Sequence, residues 1–147
     1  MKMTAGKHRT RWVLLALCAL LTAGAAVADS RLRVQVVEAS KQEKPSVDPG
    51  LEEIAKLLGA HLKFNTFRLK VSRSYAWTES DGLYLGAGLQ MKLSNVDGRT
   101  GTVEVYRNRE RVLRTRILLR PGKPVTVGGF PADGDASLVI ALTLQEA

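Results

Sequence analysis

The stretch SLVIALTL, residues 137–144, constrains the fold more than any other part of this chain. Six of its eight residues are apolar, and no polar residue interrupts the run from Leu138 to Leu142. A short apolar run without alternation is typical of a strand that is covered on both faces. We therefore expect this strand inside a sheet and not at its edge.

Seven segments upstream of it alternate apolar and polar residues with a period of two, which predicts half-buried strands. They lie within residues 32–37, 67–71, 83–85, 89–93, 103–105, 113–119 and 125–127. Turn residues separate most of them at intervals of about 8–12 residues, as in antiparallel folds. The sequence predicts the α+β class: a mostly antiparallel β-sandwich or open barrel of about 6–8 strands with one N-terminal amphipathic helix.

Residues 49–64 carry a helical pattern. Asp48 suits the N-cap, Pro49 suits the first helical position, and two glutamates follow in the first turn. An apolar stripe at helical spacing is formed by Leu51, Ile54, Ala55, Leu58 and Leu62. We expect this stripe to pack on a sheet. The polar segment before the helix, 39–47, is predicted to be a loop.

Residues 1–28 have the three parts of a secretory signal peptide. Four basic residues precede an apolar run at 12–21, and Ala26-Val27-Ala28 fits the small-residue cleavage pattern. We predict cleavage after Ala28. The product is a single domain, 29–147, that is periplasmic or secreted and contacts a membrane only through the signal peptide before its removal.

Cleavage would change the charge and the chemistry of the chain. It removes four basic residues and no acidic ones, leaving 18 basic and 14 acidic residues, so the net charge falls from +8 to +4. It also removes Cys18, the only cysteine, and with it disulfides, thiolate zinc sites and thiol nucleophiles. Lipoprotein processing at Cys18 is an alternative that we do not favour, because the preceding Leu17 is bulky.

The predicted domain offers few groups for catalysis. Its one histidine, His61, borders the apolar stripe of the helix, where we expect a boundary position between core and solvent. The acidic pairs Glu79 with Asp81 and Asp133 with Asp135 lie near glycines in sequence typical of turns. We predict no enzyme activity, no metal site and no cofactor. A hydrolase that uses His61 is the weakest alternative.

Arginine is concentrated towards the end of the chain. Six arginines form a candidate binding ribbon: Arg107, Arg109, Arg111, Arg114, Arg116 and Arg120. Arg114 and Arg116 share one face of their predicted strand, and a hairpin turn near Arg109 is expected to bring Arg107 close to Arg111. The ribbon suits the phosphate or carboxylate groups of an anionic partner. The alternative is a solvated strand that its charge protects from edge pairing.

The mature chain begins with RVQVVEAS at 33–40, followed by DPGL at 48–51 and FRL at 67–69. Together with PVTVGG at 124–129, this order resembles a group of uncharacterised exported bacterial proteins. Those proteins share an opening strand that ends in Ala-Ser, a single helix and a β-rich remainder. The resemblance covers most of the mature chain and implies the architecture without an activity.

A second resemblance is local. Residues 114–130 (RTRILLRPGKPVTVGGF) are similar to the hairpin near the end of the secretin pore domain. Secretins place an Arg-x-Thr strand, a glycine turn and an apolar strand ending in Gly-Gly-Leu there. Phe130 replaces that leucine, and the chain is too short to contain a pore domain. We interpret the likeness as a convergent hairpin pattern, and the alternative that it offers is a relationship to secretion machinery.

These observations predict an exported, non-enzymatic module that is associated with the envelope or with another protein. One alternative is an accessory subunit of an envelope secretion or pilus assembly, and another is an anion-binding protein that uses the Arg107–Arg120 ribbon. The expected partner is an envelope protein or an anionic glycolipid or polymer. Nucleic acid is not expected, because only Tyr106 supplies an aromatic ring among the arginines.

Overall fold

A computed structural model describes residues 30–59 and 63–146 of the chain. The predicted signal peptide, 1–28, and His61 lie outside the described residues. Nine strands and one helix make up the described part. The strands are β1 (Arg31–Ser40), β2 (Ser46–Val47), β3 (Thr66–Ala76), β4 (Ser80–Gly86), β5 (Leu89–Asp97), β6 (Thr100–Arg107), β7 (Glu110–Leu118), β8 (Val125–Pro131) and β9 (Ser137–Gln145), and the helix is α1 (Glu52–Gly59).

The strands form two sheets, which confirms the predicted α+β sandwich. The first sheet has the order β2-β3-β1-β9-β8, and the second has the order β4-β5-β6-β7. Each of the eight predicted strands is present. The ninth, β2, lies in the segment that was predicted to be a loop, and it pairs in parallel with the start of β3. A strand of two residues is too short to produce an alternating pattern.

The apolar strand β9 lies between β1 and β8, so its predicted interior position is confirmed. Its residues alternate between two cores. Leu138, Ile140, Leu142 and Leu144 pack in the core between the two sheets, whereas Val139 and Ala141 pack in a second core under α1. β1 divides in the same way: Leu32, Val34 and Val36 face the second sheet, and Val37 and Ala39 face α1.

A bulge in β3 changes which face of the first sheet its side chains occupy. Val36 of β1 pairs with Val71, but the next residue, Val37, pairs with Leu69, so Lys70 is the extra residue. One inserted residue reverses the alternation. Leu69 therefore packs under α1, while Val71 packs between the sheets. The sequence had placed these two positions on one face.

The helix is shorter than the predicted 49–64. Its apolar stripe buries Ile54 and Leu58 on the first sheet, as expected, and Leu51 joins them from just before the helix. Asp48 does not cap α1 with its side chain. Its carboxylate Oδ2 instead accepts a hydrogen bond of 2.8 Å from the backbone N–H of Leu69. This hydrogen bond thus connects the segment that precedes α1 to strand β3.

Trp77 joins the two sheets at the corner between β3 and β4. Its indole Nε1–H donates a hydrogen bond of 2.7 Å to the carbonyl of Gly98, and its ring lies against Gly101 of β6. A Cβ atom at position 101 would lie 2.8 Å from the Trp77 ring. The close approach therefore requires glycine at this position.

We predict that Gly101→Ala lowers the free energy of unfolding by about 1–3 kcal/mol, because the added methyl group overpacks the core against Trp77. Urea unfolding followed by tryptophan fluorescence measures the change. The matched control is Gly59→Ala at the end of α1, where no described atom lies within 4 Å of the added Cβ. Equal effects of the two substitutions would contradict the packing argument.

Candidate anion-binding face

The outward side chains of the second sheet come from alternate residues of β5, β6 and β7. Met91, Leu93, Val103 and Val105 point into the core between the sheets, so the residues next to them in sequence point outward. The strand register aligns these outward residues in three rows. The rows are Gln90–Tyr106–Arg111, Lys92–Glu104–Arg114 and Ser94–Thr102–Arg116.

Five basic side chains are collected on this side of the protein. We call them the basic face: Lys92, Arg109, Arg111, Arg114 and Arg116. Lys92 comes from β5, three arginines come from β7, and Arg109 lies in the turn between β6 and β7. Each of the four arginines is exposed. The basic face therefore presents a group of cations to solvent.

Glu104 lies in the middle row of the basic face and is 8% exposed. Its Oε2 accepts a hydrogen bond of 3.0 Å from the Tyr106 hydroxyl. Its Oε1 lies 3.5 Å from Arg111 Nη1 and 3.5 Å from Arg114 Nε. One carboxylate thus holds two guanidinium groups in place, and the arginines shield it from solvent.

Positive charge remains after these contacts are counted. The only other carboxylate that pairs with the basic face in the described part of the chain is that of Asp81, 3.5 Å from Lys92 Nζ on an exposed side chain. Arg109 and Arg116 form no ion pair with a described carboxylate. Five cations therefore face two carboxylates, and an anionic ligand would meet a net positive surface.

The structure divides the six arginines of the predicted ribbon. Arg114 and Arg116 share the outer face of β7, as the alternation of the strand predicts. Arg111 joins them on that face only because a bulge leaves Val112 as an extra residue between Arg111 and Leu113. Arg107 lies apart from them. In the strand register its backbone lies opposite that of Glu110, and its Nη1 donates a hydrogen bond of 2.5 Å to the carbonyl of Pro131 in the first sheet. Arg120 follows β7 and forms an isolated bridge with Lys123.

The expected hairpin turn is present, but it does not bring Arg107 beside Arg111. Asn108 and Arg109 form a two-residue connection, and both have positive φ, 51° and 69°. This geometry is typical of a type I′ turn. Because the connection has two residues, Arg107 lies opposite Glu110, and Tyr106, not Arg107, lies opposite Arg111. The sequence indicates a hairpin, but not the length of the connection that sets this pairing.

Sequence reasoning missed Lys92, Gln90 and Glu104. Their alternation within β5 and β6 indicates that they point outward, but it does not say which strands are neighbours. Only the register brings them beside the arginines of β7. Gln90 and Lys92 line a shallow depression of about 240 Å³ together with Gly82, Tyr106 and Arg109.

The side chains of this face are suited to contact with anions. Guanidinium and ammonium groups donate hydrogen bonds to carboxylate, phosphate or sulfate oxygens, and Gln90 adds a neutral polar group.

The described residues contain no group of three or more acidic, histidine or cysteine side chains placed to hold a metal ion. No helix in residues 30–59 and 63–146 is long and apolar enough to cross a bilayer.

Comparisons with protein-family models, with curated proteins and with solved structures found no match to this chain.

We predict that Tyr106→Phe lowers the free energy of unfolding by about 1 kcal/mol, because Glu104 loses a hydrogen bond in a partly buried position. Thermal and urea unfolding measure the change. The matched control is Tyr84→Phe on β4 of the same sheet, because the Tyr84 hydroxyl makes no hydrogen bond to a described residue. A loss as large in the control as in Tyr106→Phe would argue against a specific role for this bond.

Proposed function

We propose that this protein is an exported, non-enzymatic interaction module that binds an anionic partner through the basic face. The observation that supports the proposal most directly is the set of five cations on one side of the second sheet, two of which, Arg111 and Arg114, contact the buried carboxylate of Glu104. A carboxylate in the centre fixes the direction of the arginines before a partner arrives. Such preorganisation lowers the entropic cost of binding.

The two sheets differ in what covers their outer faces. Part of the outer face of the first sheet is covered by α1, which buries Val37, Ala39 and Phe67. No helix or strand of residues 30–59 and 63–146 packs on the outer face of the second sheet. The basic face is therefore accessible to a partner, which supports its assignment as the binding surface.

The charge and geometry of the basic face favour a multivalent partner. A single exposed ion pair contributes about 0.2–1 kcal/mol, so one isolated anionic group would bind weakly. Several pairs formed at once would give useful affinity, and the arginine fork can bind carboxylate or phosphate in two places. The binding would weaken as salt is added. An acidic envelope protein or an anionic glycolipid or polymer has this property.

An accessory subunit of an envelope secretion or pilus assembly is one form that this function could take. In that case the anionic partner is an acidic surface of the assembly. The basic face then provides the contact. We assign no separate binding site to residues 114–130, the segment that is similar to a secretin hairpin.

We predict that the triple variant Arg111→Ser, Arg114→Ser, Arg116→Ser binds immobilised heparin, used as a polyanion probe, at least tenfold more weakly at low salt. The reason is the loss of three cations from one surface. The charge-matched control replaces Arg33, Lys44 and Arg68 by serine, all of them exposed and remote in sequence from β7. We expect it to change the affinity less than about threefold.

Circular dichroism of both triple variants establishes that they are folded. An equal loss of heparin binding in the two variants would mean that net charge, and not the basic face, determines binding. Unchanged binding in the β7 variant would overturn the proposed function.

We predict that Glu104→Gln strengthens heparin binding by about fivefold at low salt, because the loss of the charge that neutralises Arg111 and Arg114 outweighs the loss of the order that Glu104 imposes on them. A unit charge about 4 Å away contributes about 1 kcal/mol in water, which corresponds to this factor. Titration by fluorescence anisotropy measures it. Glu43→Gln, at an exposed position before α1, is the control and should leave the affinity nearly unchanged.

A further inference from the structure

β7 forms one edge of the second sheet. Among the described residues it pairs with β6 on one side and with no strand on the other. Its ladder with β6 runs without a register shift from Leu113 to Leu118. The unpaired side of such a strand presents backbone N–H and C=O groups that can pair with an extended chain.

The other sheet edges are irregular or short. β4 has two register shifts against β5, and β8 has one between Val127 and Phe130. β2 has two residues, and beyond it β3 carries the Lys70 bulge and uses Tyr75 to hydrogen-bond the backbone of β4. Bulges and short strands hinder the addition of a further strand. From Leu113 to Leu118, β7 has neither.

Charge determines which strand could join β7. Arg114 and Arg116 flank the free edge on the outer face, and two copies joined through β7 would bring arginines next to arginines. Like charges in that position are destabilising, which disfavours self-association. An incoming strand with acidic side chains at every second position would instead place a carboxylate beside each arginine.

The opposite face of β7 sets the remaining positions of such a strand. Leu113 and Thr115 are half-buried and Ile117 is buried, and all three point towards the first sheet. Side chains of an added strand on that face would cover their edge, so they should be uncharged and apolar. Leu118, which is 56% exposed, lies on the other, outer face, one alternate position beyond Arg116.

We propose that β7 accepts an extended acidic segment of a partner protein as a fifth strand of the second sheet. Acidic and apolar residues alternate in this segment, and the acidic ones contact Arg114 and Arg116. The inference rests on the proposed function and adds the class of partner and the manner of its binding. A polypeptide is favoured over an anionic glycolipid or polymer because only a polypeptide can also pair with the free backbone groups of β7.

The test uses three probes and the protein labelled with ¹⁵N. The first is the capped peptide Glu-Val-Glu-Val-Glu-Val-Glu. The second is the capped peptide Glu-Pro-Glu-Pro-Glu-Pro-Glu, which has the same charge but in which about three of the seven residues, the prolines, lack an amide donor. The third is a short heparin fragment. Hydrogen exchange of individual amides is measured by nuclear magnetic resonance with and without each probe.

We expect the Glu-Val peptide to slow exchange at least tenfold at alternate amides between Leu113 and Leu118, because strand pairing protects the N–H groups on the free edge. The Glu-Pro peptide should bind at least tenfold more weakly, and neither it nor the heparin fragment should protect these amides. The double variant Arg114→Ser, Arg116→Ser should bind the Glu-Val peptide at least tenfold more weakly.

A charge exchange provides a second measurement. The double variant Arg114→Glu, Arg116→Glu should lose the Glu-Val peptide and gain binding to the capped peptide Lys-Val-Lys-Val-Lys-Val-Lys, with the same protection in β7. This gain of binding requires a folded protein, so it separates recognition from unfolding.

The two proposals fail in different ways. If the Glu-Val peptide binds without protecting β7, or if only the heparin fragment binds, strand addition is overturned while the proposed function stands. If the serine variants of β7 bind every probe as the unaltered protein does, both proposals are overturned.

Discussion

The burial of both faces of β1 and β9 is the constraint on which the rest of the structure depends. These adjacent strands carry apolar side chains on each face, and each fully buried aliphatic side chain contributes about 1.5–3 kcal/mol. One face requires the second sheet and the other requires α1, so the order of layers follows. The second sheet needs to bury only its inner face. Its outer face is therefore free to carry charge, and the candidate site lies there.

The sequence predicted the elements well and their neighbours poorly. Alternation and turns indicated eight of the nine strands, and the unbroken run in β9 indicated its interior position, because both signals depend on residues that are close in sequence. The division of β3 between two cores depends on a bulge at Lys70 that no local pattern marks. The candidate site was found in part for the same reason. Arg114 and Arg116 form a local pattern, whereas Arg111 joins them through the bulge at Val112, and Lys92 and Glu104 join them through the register of β5, β6 and β7.

The arginines of β7 can have two physical effects at the same time. Arginines at alternate positions prevent two copies from joining edge to edge, which is the usual hazard of an exposed strand. In the proposed interaction, the same arginines favour a chain of opposite charge over one of like charge. Glu104 contributes to both effects, because it orders Arg111 and Arg114 on the surface and limits their mutual repulsion. A strand face that looks simply solvated can therefore also be a recognition surface.

The turn between β6 and β7 contains an arginine at a position where glycine would be more stable. Arg109 has a φ of 69°, in the left-handed region that costs a residue with a Cβ atom about 1–2 kcal/mol relative to glycine. Glycine is the residue that such a two-residue turn favours most at this place. The chain instead holds a cation at the tip of the hairpin, next to Lys92 in the lining of the depression. The hairpin tip is thus less stable than it would be with glycine at this position. In return, the long side chain of Arg109 extends the positively charged surface beyond the end of the sheet.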